Sequence, residues 1–248
     1  MNALKFLLVP TMILAPLVAC EDETATGIAV KERFYGQTTA LGNGTVRTYV
    51  IVQDGQSTEL GVALSEAALS GLPDQMLMNH LPFPAEAAGL PYTFMMFGWN
   101  PQGHIPTPTY AQPHFDFHFY VIPESEVLKI PGGPDPIAPE PSLIPDGYFA
   151  PGNVSAPAMG VHWMARSAPE LNGHLFDKTM IYGFTGGRLA FIEPMITKAY
   201  FETKPDYTTE IAQPPRFGTP GLYPTRYNIK YDAATKEHLI AISGFAQR

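Results

Sequence analysis

Residues 113–120, Pro-His-Phe-Asp-Phe-His-Phe-Tyr, alternate strictly between polar and aromatic positions. Successive side chains of a β-strand point to opposite faces. The stretch therefore predicts a strand with His114, Asp116 and His118 on one face and Phe115, Phe117 and Phe119 on the other. On a helix the same residues would scatter around the axis and bury nothing cleanly. The Phe face is expected against an apolar layer. The other face presents two imidazoles and a carboxylate to a pocket or barrel interior.

The rest of the pattern also reads as short strands. Residues 45–52 and 58–63 flank Asp54-Gly55, a turn pair, and predict a hairpin. Ser65 is a natural N-cap for a short helix that Gly71 and Pro73 stop. Residues 92–99 predict a buried strand antiparallel to the central one. Residues 179–184 and 188–195, around Thr185-Gly186-Gly187, predict a second hairpin, which 199–201 extend or follow. Residues 159–163 form a short apolar strand, and 227–231 with 239–242 close the chain. The proline-rich stretch 131–157 has little periodicity and predicts a surface loop. Many short strands with one modest helix signal predict an all-β fold with minor helix. It would be an antiparallel barrel or sandwich with long Pro-rich loops.

Composition narrows the setting. The 248 residues suffice for a single β-rich domain, expected over 37–248. Fifteen basic against 23 acidic residues, with no basic run, argue against nucleic acid as a partner. At the N-terminus Lys5 precedes an apolar run from 6 to 19, interrupted by Pro10 and Pro16. That run is short for a spanning helix and reads as a signal peptide, 1–19. It ends Leu17-Val18-Ala19-Cys20, which looks like a bacterial lipobox with Cys20 lipidated. The expected address is the cell envelope, anchored to the membrane through Cys20 and facing the periplasm. Glu21 leans the anchor towards the outer membrane, and 20–36 would be the lipidated Cys and a flexible tether. Cys20 is the only cysteine, so no disulfide within the chain and no thiolate ligand in the folded body is available.

Any metal site must then use imidazole nitrogen and carboxylate oxygen. Alternate strand positions lie about 6.6 Å apart, so His114 and His118 are about 13 Å apart, too far to share one ion easily. The expected site takes one of them, with Asp116 as ligand or as the group that orients the imidazole. His104, His162 and Glu193 are the further candidates, each beside a turn or on a short strand. Glu193, before Pro194, reads as a strand end open to solvent. His80, His174 and His238 read as surface or structural. Such a set suits Zn²⁺, Fe²⁺, Mn²⁺ or Cu²⁺, and an open position could activate water. The alternative is a non-catalytic module for a small ligand or for assembly, whose histidines form a buried hydrogen-bond network that pins strand register.

The segments 99–104, 113–120, 159–163, 181–183 and 191–197 resemble an uncharacterised bacterial family. It is typified by a thermophile protein under an extracytoplasmic-function sigma factor and its anti-sigma partner. The resemblance, over roughly 45–200, implies a β-rich homo-oligomer in an envelope-stress setting. It implies no particular activity or cofactor.

Overall fold

The computed structural model describes Met1 and residues 30–248. The expected leader, Cys20 and most of the expected tether lie outside the described residues. The strands in chain order begin with β1 (Lys31–Tyr35), β2 (Thr39–Leu41), β3 (Gly44–Gln53), β4 (Gln56–Ser65), β5 (Leu77–Pro82), β6 (Phe94–Asn100) and β7 (His114–Tyr120). They continue with β8 (Gly133–Pro134), β9 (Tyr148–Phe149), β10 (Val154–Ala156), β11 (Gly160–Ala165), β12 (Lys178–Thr185) and β13 (Arg188–Thr197). The last are β14 (Asp206–Glu210), β15 (Leu222–Tyr223), β16 (Arg226–Asp232), β17 (Glu237–Ser243) and β18 (Ala246–Gln247). Two one-turn helices, α1 (Glu124–Val127) and α2 (Lys198–Glu202), interrupt them.

Two antiparallel sheets make the body. One runs β1-β3-β4-β17-β16-β14, with β2 also on β3. The other runs β5-β6-β7-β13-β12-β11-β10-β8, with β9 also on β11. The all-β expectation holds, with both predicted hairpins in place. The first turns through Asp54 and Gly55, at φ 50° and 75°. Positive φ at both central residues is what a two-residue hairpin loop of matching twist requires.

The alternation along β7 sorts its side chains as predicted. Phe115, Phe117 and Phe119 enter the core between the sheets, with Val46, Leu60, Val62 and Ile240 of the first sheet. Burying one such ring is worth about 1.5–3 kcal/mol. The opposite face is buried as well, under Tyr110, Val127, Ile130 and Phe176. The second sheet is thus covered on both sides at β7, and the polar residues there have no bulk water beside them.

Four local expectations change. Residues 31–35, expected in the tether, are strand β1, paired from Lys31↔Gln53 to Tyr35↔Tyr49. They satisfy backbone groups that β3 would otherwise leave open. Ser65 does precede a helical turn at Glu66–Leu69, but its hydroxyl accepts from the Thr45 N–H at 2.9 Å instead of capping it. The 131–157 excursion carries β8, β9 and β10; β9 and β10 pair with β11 and β8 pairs with β10. Residues 199–201 belong to α2, which Thr197 caps by accepting from the Tyr200 N–H.

His238 is buried between the rings of Phe201 and Tyr231, at 5.3 and 5.0 Å. Burial pushes its imidazole down to about 4. The unfolded chain binds this proton near pH 6.5 and the fold resists it. Stability is therefore full above pH 6.5 and drains as pH falls towards 4. In His238→Phe, up to about 2 kcal/mol of the loss between pH 7 and pH 5 should disappear. Urea unfolding at the two pH values measures this. An equal loss in both proteins refutes it.

Candidate metal centre

The register around β7 sets out the polar face as a grid. His114 lies between Asn100 of β6 and Thr197 of β13. Asp116 lies between Gly98 and Met195. His118 lies beside Met96. On its other side the register from Ile192↔Phe119 to Met195↔Asp116 places Glu193 directly across. Pro194, with no N–H to donate, falls within the gap in that ladder. One strand further out, Gly183 of β12 pairs with both Phe191 and His162. Gly183 carries no side chain, so the Phe191 ring occupies the space where a Cβ would be, 2.1 Å from that position. His162 reaches inward beside that ring, 5.1 Å between centroids.

This arrangement gathers the six sequence candidates, but around two points instead of one. In the inner triad Glu193 stands between two imidazoles. Its Oε1 is 3.3 Å from His118 Nε2, and its Oε2 is 3.5 Å from His162 Nε2. In the outer triad Asp116 does the same. Its Oδ1 is 3.2 Å from His114 Nε2, and its Oδ2 is 3.6 Å from His104 Nε2. Within each triad the ligand atoms lie within 4.8 Å of one another. The expectation of one shared ion fails on this geometry. His114 and His118 share a face but point to different partners, as their separation along the strand demands.

Two single-residue readings change too. Glu193 is 1% exposed, because β13 continues through Pro194 to Thr197 and places it mid-sheet. Asp116 does not orient one imidazole from behind; it faces two. Asn100 was missed. Its Nδ2 donates to Asp116 Oδ2 at 2.7 Å and fixes the carboxylate. Its signal was its place at the end of a strand antiparallel to β7. His80 pairs with Glu124 and His238 lies in the core, away from both triads.

The other imidazole nitrogens are held by the backbone. His114 Nδ1 donates to the Gln112 carbonyl at 2.6 Å, His118 Nδ1 to Met96 at 3.2 Å, and His104 Nδ1 to Ile105 at 2.6 Å. A carbonyl only accepts, so the proton resides on Nδ1 and a neutral ring turns its Nε2 lone pair to the triad. His114 Nε2, His118 Nε2, Asp116 Oδ1 and Glu193 Oε2 are buried without a hydrogen-bond partner.

The protonation of the two triads differs. Burial lowers His118 to about 3 and His162 to about 4, so both rings are neutral. Burial, and then the charge of Asp116, hold the Glu193 carboxyl well above the usual carboxylate range. Burial would raise Asp116 as well, but the close approach of His104 and His114 outweighs it and holds that group low. Burial works against a charged His104, and its contacts with Asp116 and the Ile105 carbonyl overcome that and raise it.

A family model described as TTHB210-like, hypothetical protein TTHB210, matches residues 52–99. The match runs from the end of β3 into β6 and is narrower than the resemblance read from the motifs. It supports a likeness to a family of unknown function. It contains none of the six triad residues. No curated protein and no solved structure matches the chain.

Proposed function

We propose that this is a lipid-anchored envelope protein that binds a divalent transition metal at the inner triad. His118, His162 and Glu193 would hold the ion. One observation carries this reading: His118 Nε2 and Glu193 Oε2 are buried without a hydrogen-bond partner, and the Glu193 carboxyl stands between the Nε2 atoms of His118 and His162 at 3.3 and 3.5 Å. Unpaired buried polar atoms each cost about 1–3 kcal/mol, and a cation satisfies both at once. Two imidazoles with one carboxylate suit Zn²⁺, Fe²⁺, Mn²⁺ or Cu²⁺, and leave coordination positions open. A bound ion supplies Lewis acidity or an activated water at such a position. The chain's own contribution is to fix tautomers through backbone carbonyls, hold the carboxylate between the rings, and keep water out with Phe191 and Tyr120. The envelope address rests on the leader and Cys20, and the stress-response setting on the family resemblance.

The test is the metal content of the full-length chain, purified in detergent without a histidine tag. A stoichiometric ion is expected, lost in His118→Ala, with a higher melting temperature for the loaded protein. No stoichiometric ion, and no melting response to any of the four cations, would overturn the proposal. The histidines would then be a register-setting network.

A further inference from the structure

We infer that His104, His114 and Asp116 form a second, separate site for a divalent transition-metal ion, which exchanges faster than the inner one. This rests on the reading of the inner triad as a metal site. The outer triad has the same chemistry: two imidazoles presenting Nε2, with their Nδ1 atoms tied to carbonyls, and one carboxylate. It also carries its own orphaned buried atoms, His114 Nε2 and Asp116 Oδ1.

Separateness follows from the strand. Asp116 and His118 are two residues apart on β7, about 6.6 Å between Cα atoms. The two ions of a bridged centre stand about 3.5–4 Å apart. Closing to that distance would take a ligand common to both triads. Here each carboxylate spends its two oxygens on the two imidazoles of its own triad. No residue is shared, so each ion would be bound singly.

Lability follows from the supports. The inner ligands come from β7, β11 and β13, all strands of one sheet. In the outer triad His104 belongs to the connection between β6 and β7. Its backbone is tied by the bond from its N–H to the Tyr110 carbonyl at 3.0 Å. Its side chain is 29% exposed. A ligand on a loop can leave without breaking a sheet.

Zinc is the probe, with the full-length chain purified in detergent and no histidine tag. Wild type should hold two equivalents, and His104→Ala and His162→Ala one each. Both substitutions fall on partly exposed side chains, and circular dichroism checks that the variants keep the wild-type fold. Chelator should strip wild type in two phases. The fast phase should be missing in His104→Ala and the slow one in His162→Ala. A single equivalent in wild type, unchanged in His104→Ala and lost in His162→Ala, overturns the second site while leaving the inner one standing. Loss of both equivalents from either single variant overturns their independence. No zinc at all removes both proposals together.

Discussion

Replacing Glu193 with methionine is expected to raise the stability of the metal-free protein by about 1–3 kcal/mol and to remove the inner-site share of its response to added zinc, leaving one equivalent of two. The side chains are similar in volume, so the sheet should repack little. In the metal-free fold Glu193 is buried and has an unpartnered oxygen. Burial holds its carboxyl well above the usual carboxylate range. On the proposed reading, that cost would be recovered when a cation binds. Removing it should relieve the metal-free protein and forfeit the loaded one, a trade common at functional sites. Urea unfolding in chelator and in zinc separates the two effects. A methionine variant weaker than wild type in chelator would mean that the carboxyl serves as a structural hydrogen-bonding group, and the metal reading would lose its main support.

Gly183→Ala should cost about 1–3 kcal/mol by overpacking. The backbone there is ordinary; the obstacle is the Phe191 ring, 2.1 Å from where the new methyl would lie. Phe191 cannot retreat freely, because its ring packs at 4.8 Å from His118 and 5.0 Å from Tyr120. Shifting it should also disturb His118 and His162, so zinc affinity should fall with stability. Calorimetric melting checks the first effect and zinc titration the second. Trimming the ring in Gly183→Ala/Phe191→Leu should restore part of the stability. A single variant as stable as wild type would show that the ring has room to move.

The face assignment along β7 was legible because alternation is a local property of the chain. So were the hairpins at Asp54-Gly55 and Gly186-Gly187, whose turn chemistry lies within four residues. The division of the polar residues between two points was not legible. It depends on β13 lying beside β7 with Glu193 opposite His118, a pairing some 75 residues apart in sequence. Pro194 misled for a physical reason. Proline inside a strand usually marks an edge, yet here its missing N–H is absorbed in a central ladder beside the triad. Strand β1 was hidden by its position after an acidic, small-residue stretch, and its pairing depends on an open edge that only the assembled sheet provides.

The flank of the second sheet beyond β12 is made of short pieces: β11 with six residues, β10 with three, β9 and β8 with two each. Among the described residues, His162 is the imidazole that reaches from this flank to the middle of the molecule. A cation held there acts as a rivet between margin and centre. Loaded, the margin would be clamped through both its β11–β12 pairing and the ion; emptied, it would be held by that pairing alone. The ion's residence time would then set how often the proline-rich surface of residues 131–157 lifts away.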